Sequence, residues 1–454
     1  MLEKSNVEAI YPLGPAQRGM LYYCVVHPDE GAYLEQLQAS FAGDLRPEAL
    51  RRAWELVVAR HGALRSQVAW EHRDRPLQVV RRAIELPWTE LDWRDVPEDE
   101  VEERLATFLS RDREEAVPLD RPPLLRVALV RRPGDRWEMV WTFHHILLDG
   151  WSMGVLLSEL WTAYAAFARG AEPELPEAPS LGPWAAWLGR RDEGEDRAFW
   201  CRALAGFEEP FAVDLPGGGS RIGEARGDEA RGQARRLVSG PDLDLLSAFA
   251  RSQDLTLNAL AQGAWALLLR RYAGRFRVAF GAVASGRPPE VPGIERLVGV
   301  FMNAVPAWVA LPGSARVGEW LRGLQAAQAE ARDHAHRPLE EIQEWLGLPR
   351  REPPFDTLLV FENYPADPGA ARDLAGAELL AVRTRERGTF PVALYMAPRG
   401  RELHLWLDHR RDRLGDEAAE RLLDVFLGLM SALAQDPDRR LSDLPLLDGA
   451  ERRR

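Results

Sequence analysis

The sequence predicts a mixed α/β protein built as two lobes, and three observations carry that expectation. Its 454 residues exceed what one hydrophobic core ordinarily holds. Apolar residues recur with period two in some stretches and at helical spacing in others, in both halves of the chain. Between the halves lies Gly170 to Pro179, rich in proline and acid, which reads as an interdomain linker. The first lobe is accordingly placed at residues 1–177 and the second at 178–454.

Taken in order, Leu37, Ala39 and Phe41 alternate with Gln36, Gln38 and Ser40, so Leu34 to Ala42 predicts a half-buried strand. After Asp44 and Pro47 the period changes. Leu50, Ala53, Trp54, Val57 and Val58 form one apolar helical face, with Gly62 as the stop. Leu124 to Val130 and Arg136 to Phe143 predict two strands joined by a turn at Arg132-Pro133-Gly134-Asp135. A long apolar helix follows over Trp151 to Ala168. Pro216-Gly217-Gly218-Gly219-Ser220 through about Arg235 is polar and glycine-rich and reads as a loop. Leu257 to Tyr272 predicts a helix, Phe276 to Ala284 a strand, and Val298 to Leu311 an apolar run broken at Pro306. No short repeat is visible, although the halves share size and element order.

Composition narrows the function classes. With 46% hydrophobic and 28% charged residues the chain is ordinary globular material. No run of about 18 apolar residues occurs, and the N-terminus lacks the basic and apolar regions of a signal peptide, so no membrane and a cytoplasmic setting are expected. Cys24 and Cys201, the only two cysteines, read as unpaired thiols and are too few for a metal cluster. A net charge of −12 disfavours nucleic acid, whose binders need a basic face to displace counterions.

The chemistry-bearing stretch is His144-His145-Ile146-Leu147-Leu148-Asp149-Gly150. Period two sends adjacent histidines at a strand end in opposite directions, so one is locked in structure while the other reaches a cleft. Asp149 stands at the start of the long helix, where a carboxylate can cap the helix, bind an arginine or orient an imidazole. A histidine on an apolar face is most often a satisfied core residue. Strand-end placement beside a carboxylate is what favours a catalytic role. His334 and His336, just before Pro338, have poor spacing for a metal pair and read as helix-terminal residues. Trp141 and Trp151 read as core.

His144 to Gly150, followed by Trp151-Ser152, resembles the signature of the condensation domains of nonribosomal peptide synthetases, members of the chloramphenicol acetyltransferase-like superfamily. Tyr11-Pro12-Leu13-Gly14-Pro15-Ala16-Gln17 with Gly19-Met20-Leu21 is similar to that family's opening motif, and Arg60-His61-Gly62-Ala63-Leu64-Arg65 to its second. Trp184 to Leu188, Ser285-Gly286-Arg287-Pro288, Val298 to Asn303, Pro338 to Gln343 and Phe361-Glu362-Asn363-Tyr364-Pro365 extend the resemblance over essentially the whole chain. The wording of the last motif resembles domains that take an L-configured donor. Leu441 to Leu447 with Glu451-Arg452-Arg453-Arg454 resembles the linker ahead of an adenylation domain.

The resemblance implies two acetyltransferase-like α/β lobes in a V-shaped pseudo-dimer, with the active site in the tunnel between them and a floor loop and latch-like crossover in the second. It implies that His145 and Gly150 serve catalysis, Gly150 by leaving room for an acceptor. His144, Asp149 and Arg65 would support the site, Asp149 pairing with Arg65. Arg18, Trp151, Ser152, Ser285, Arg287, Asn303 and Glu362 would line the tunnel, Arg287 by ordering a loop beneath it. Arg18 departs from the glutamate often found there, and is either a greeting charge for a donor or a solvated ion-pair partner. The implied reaction is peptide-bond formation between carrier-bound thioesters in antibiotic or siderophore synthesis. No metal and no bound cofactor is implied, since phosphopantetheine arms bring the substrates. Implied partners are an upstream donor carrier domain, a downstream acceptor carrier domain and an adjacent adenylation domain, with the excised chain monomeric. An epimerisation domain shares the double histidine but needs a catalytic glutamate in a later motif, and Val298 to Asn303 resembles condensation domains instead. An ester-forming relative is disfavoured by the continuous motif match. A non-catalytic recruiting module is disfavoured by the intact His145, Asp149, Gly150 and Arg65.

Overall fold

Strand and helix alternate throughout the computed structural model, which describes residues 4–28, 30–73, 75–217, 230–349, 353–363, 374–386 and 388–444. In chain order come β1 (Val7–Pro12), α1 (Pro15–Val26), β2 (Leu34–Gly43), α2 (Pro47–Arg60), β3 (Ser66–Ala69), β4 (Leu77–Arg81), β5 (Trp88–Asp92), α3 (Glu98–Glu114), β6 (Leu125–Arg132), β7 (Arg136–His144), α4 (Gly150–Ala168) and α5 (Gly182–Leu188). They continue with α6 (Glu193–Ala203), β8 (Arg231–Ser239), α7 (Gly240–Ser252), α8 (Leu257–Ala273), β9 (Arg277–Ala284), β10 (Asn303–Ala310), α9 (Val317–Asp333), α10 (Leu339–Trp345), β11 (Thr357–Phe361), β12 (Ala377–Arg385), β13 (Val392–Arg399), β14 (Glu402–Arg410) and α11 (Asp416–Gln435).

The chain forms two compact units. The first comprises residues 1–191, 287–301 and 364–389, and the second takes the remainder. The division falls past Glu177, and the later chain returns twice to the first unit, which a boundary drawn once along the sequence does not capture. The linker stretch after Gly170 has no regular structure and is held on the first unit, where Arg52 bonds Glu172 and Arg60 bonds the Pro176 carbonyl.

In the first unit a five-stranded sheet runs β12-β2-β7-β6-β5, antiparallel except for the β5–β6 pair. A smaller antiparallel sheet runs β1-β4-β3. On one face α2 and α4 pack together, with Trp54 tilted against Trp141, itself stacked on Phe143, and Phe41 edge-on to Trp161. β2 is not half-buried as expected, because Gln36 and Gln38 are buried too. The cause is α3, whose Leu105 and Leu109 cover Ala128, Val130 and Val140 on the opposite face. Gln36 is then satisfied by Asp112, and Gln38 by Glu138. The β6–β7 turn uses positive φ at Gly134 and Asp135, as its sequence demands. α2 ends at extended His61 rather than at a left-handed glycine, and Gly62 opens a 3₁₀ turn to Arg65.

In the second unit a six-stranded sheet runs β10-β9-β11-β13-β14-β8, with β11 parallel to both its neighbours. Against it lie α8, capped by Thr256 at its start and by left-handed Gly274 at its end, and α11. Pro306 does not break its run. β10 is an edge strand, where a missing N–H costs no ladder bond, and Pro306 pairs opposite Gly281 within it. The break comes before Asn303 instead. The glycine-rich loop reading also ends early. Residues 218–229 lie outside the described residues, but Arg231 to Arg235 belong to β8, an edge strand whose exposed face is arginine-rich. No helix of the described residues is long and apolar enough to cross a membrane.

Candidate active site

Strand pairing brings the double histidine to the end of the first unit's sheet. β7 ends at His144, paired opposite Leu34, and the Tyr33 carbonyl of the incoming β2 chain accepts from the His145 N–H at 2.8 Å. The chain then makes a 3₁₀ turn, His145–Leu147, before Asp149 caps α4. The change of backbone at His145 separates the two rings.

His144 is buried, and its Nδ1 accepts from the Ile146 N–H at 3.1 Å. Burial, reinforced by the neighbouring His145, pushes its pKa down to about 3, so the ring is neutral around pH 7. With Nδ1 accepting, Nε2 carries the proton and faces the Cys24 Sγ at 3.6 Å. Burial pushes that thiol up to about 11, which makes Cys24 a packing partner and not a nucleophile.

The His145 side chain is 19% exposed. Its Nδ1 lies 2.7 Å from the Leu148 carbonyl. A carbonyl can only accept, so Nδ1 bears a hydrogen and Nε2 is the nitrogen left to work. Nε2 is 3.3 Å from the Glu35 Oε1, whose side chain is 6% exposed.

Asp149 is met by backbone N–H groups and an arginine. Its Oδ1 accepts from the Ser152 N–H at 2.8 Å and from Arg287 Nη2 at 3.1 Å, and its Oδ2 from the Phe301 N–H at 3.0 Å. The expected partner Arg65 lies elsewhere. Carried by the turn after α2, it bonds Glu8 at 2.6 Å and the Val58, Arg81 and Arg82 carbonyls, tying β1 to β4. The arginine that reaches Asp149 is Arg287, whose side chain is 4% exposed. It also bonds Ser152 Oγ and the Ile294 and Leu297 carbonyls, and lies over the Trp151 and Phe301 rings. Ser152 Oγ in turn joins both the carbonyl and the N–H of Gly299. The start of α4 and residues 287–301 are thus one polar cluster. Trp151, half-buried, donates to the Glu295 carbonyl, while Trp141 is core. Gly150 is the first residue of α4 without a left-handed φ, so its backbone conformation alone does not demand glycine.

Gln17, the last residue of the opening motif's first run, braces this turn. Its Nε2 donates to the Ile146 carbonyl at 2.7 Å while its Oε1 accepts from the Gly14 N–H. Gly14 is held by close approach, since a Cβ there would stand 3.0 Å from the Trp184 ring and 3.3 Å from the Val300 carbonyl. Arg18 follows Gln17 and is half-buried. Glu35 was not anticipated, although it falls in phase with Leu37, Ala39 and Phe41 on the apolar face of β2, where a carboxylate needs a reason.

Ser285, Asn303 and Glu362 belong to the second unit. Ser285 is exposed after β9, and Asn303 donates to the Ala335 and Arg337 carbonyls. Glu362 follows β11, and burial pushes its carboxyl up to about 7 against the pull of Arg399. His334 caps the end of α9, and both it and His336 close on the buried Asp196 together with Arg337. Burial works to raise the Asp196 pKa, but the bonds from His336, His334 and Arg337 prevail and hold it at about 2. Among the described residues no group of three or more His, Cys, Asp and Glu is arranged to hold a metal ion. Tyr364 and Pro365 lie outside the described residues.

A family model described as Condensation domain matches residues 7–454. A linear gramicidin synthase from Brevibacillus parabrevis is 36% identical over 457 residues, covering 99% of this chain and 9% of its own length. Chondramide synthase of Chondromyces crocatus is 33% identical, covering 99% of this chain and 12% of its own. The chain therefore spans only a small part of these relatives. Among solved structures, the first condensation domain of the calcium-dependent antibiotic synthetase matches with a TM-score of 0.77 at 20% identity, over 98% of this chain and 100% of that one. A four-domain nonribosomal peptide synthetase bound to AMP and glycine matches with a TM-score of 0.81 at 17% identity, over 98% of this chain and 34% of that one. At those identities the likeness is one of fold.

Proposed function

This chain belongs to the condensation-domain family, and on that premise we propose that it is the amide-bond-forming acyltransferase of a nonribosomal peptide synthetase. The α-amine of a carrier-bound aminoacyl thioester attacks the carbonyl carbon of a carrier-bound acyl or peptidyl thioester. A C–N bond forms, the C–S bond breaks, and the amine's proton leaves with the thiol.

The observation that carries the reading is the fixed His145 ring, with Nδ1 committed to the Leu148 carbonyl and Nε2 presented from a partly exposed side chain. An α-amine of pKa about 8 is already about one quarter neutral at pH 7.5, so the reaction does not require a full general base. His145 orients the amine and steadies the tetrahedral intermediate, with N–H groups at the first turn of α4 beside Gly150 as further donors. His144, Asp149, Ser152 and Arg287 hold that turn in place. Arg18, Trp151, Ser285, Asn303 and Glu362 are assigned to substrate passage. Substrates arrive on the phosphopantetheine arms of donor and acceptor carrier domains, next to an adenylation domain, in a cytoplasmic assembly line making a peptide product from an L-configured donor.

The test is to supply the chain with separately loaded donor and acceptor carrier domains and to weigh both afterwards. The proposal expects the acceptor carrier to gain the donor's acyl mass. Acceptor carriers that never gain it, across a panel of confirmed loadings, would count against the proposal.

A further inference from the structure

The geometry points to Glu35 as the positioning residue for His145, fixing the direction of the imidazole from its Nε2 edge. This rests on the reading that His145 is the working residue. Three observations converge on it.

The first is placement. Glu35 shares the buried face of β2 with Leu37, Ala39 and Phe41, and its side chain is 6% exposed. A carboxylate in that position is costly to desolvate unless a charge-compensating partner meets it. The second is a two-point hold from one strand end. The Tyr33 carbonyl takes the His145 N–H at 2.8 Å, while two residues on, the Glu35 Oε1 meets the ring at 3.3 Å. Glu35 lies directly opposite Phe143 and so diagonal to His145, within reach of a long side chain.

The third is the other edge of the ring. Nδ1 faces the Leu148 carbonyl, which only accepts, so Nδ1 is a donor and that edge is pinned to the chain. Glu35 meets the opposite edge, so the imidazole is bracketed between the Leu148 carbonyl and the Glu35 carboxyl. During condensation the neutral amine attacks the thioester carbonyl carbon, the C–N bond forms, the C–S bond breaks, and the thiolate leaves with the amine's proton. Glu35 acts on this step through the direction of the His145 ring.

The test uses the full chain labelled with ¹⁵N-histidine, with the His145 signal identified by its loss in His145→Gln. Glu35→Gln is expected to move the His145 Nε2 signal away from its wild-type position, and Glu35→Asp to move it less because the carboxyl remains. On any donor and acceptor carrier pair the wild type joins, Glu35→Gln is expected to lower kcat at least about tenfold with KM within about twofold, as misplacement of a catalytic group does, and Glu35→Asp to recover part of the loss. An Nε2 signal unchanged by Glu35→Gln, or an unchanged kcat, would overturn the proposal. Should Glu35→Gln fail to fold, Glu35→Asp decides: a displaced Nε2 signal with lowered kcat supports the hold, and wild-type values overturn it. A wild type that joins no pair tells against peptide-bond formation itself, while the histidine signal still decides the fate of Glu35.

Discussion

Arg287 Nη2 lies 3.1 Å from Asp149 Oδ1, joining the cap of the helix after the double histidine to a segment 138 residues further along the chain. Both side chains are almost fully buried, at 4% and 3% exposure. Solvent screening is therefore weak, and the Ile294 and Leu297 carbonyls and Ser152 Oγ also meet the Arg287 guanidinium. Its worth shows when one partner is removed and a charge is left behind.

Arg287→Met should accordingly destabilise the first unit by about 3–5 kcal/mol, the cost of stranding a buried charge. Urea unfolding followed by tryptophan fluorescence measures it. The equivalent change at Arg316, whose bond to Asp438 is exposed, should cost at most about 1 kcal/mol. Equal losses at the two positions would remove the case for a structural pair at the site.

The neutrality of His144 predicts a pH dependence. Its folded pKa of about 3 lies below the ordinary value of 6.5, so below pH 6.5 the unfolded chain takes up a proton that the folded chain refuses. Its contribution is complete above about pH 6.5 and is lost progressively as pH falls toward about 3. Between pH 7 and 5 the buried Glu362 carboxyl works the other way, since its raised pKa lets the folded chain take up a proton there, so the His144 contribution is read as a difference: as pH falls from 7 to 5, wild type should lose stability relative to His144→Gln. An identical slope in both proteins would mean that His144 is not the group responsible.

Gln17→Met should leave the Ile146 carbonyl and the Gly14 N–H without their partner, at a cost of about 1–3 kcal/mol. Because the turn it braces carries His145, kcat should fall more than KM rises. A change in KM alone would assign Gln17 to substrate binding instead.

Much of this could be seen in the sequence where one element's own periodicity decides the outcome. The apolar faces of α2 and α8 and the β6–β7 turn are of that kind. Where a distant element decides, local pattern misleads. Gln36 and Gln38 look solvated until α3 covers them, and Pro306 looks like a break until β10 proves to be an edge. β12 joins the first unit's sheet beside β2 from more than 300 residues away, and nothing in Ala377–Arg385 announces it. The double histidine and Asp149 stood out as a motif. The partner of Asp149 did not, because spacing cannot say which of the chain's many arginines reaches a carboxylate, and Arg65 proved to serve Glu8 instead. Glu35 did leave a signal, a charge in phase with an apolar face.

Whether His145 works on the thioester is tested by comparing wild type with His145→Ala in a condensation assay using loaded donor and acceptor carriers, read by intact mass. Peptide is expected on the acceptor carrier with wild type, and its rate of appearance should drop at least about 100-fold with His145→Ala, the scale of a lost acid–base or oxyanion-stabilising group. Peptide forming at the same rate with both proteins would rule out a working role for His145.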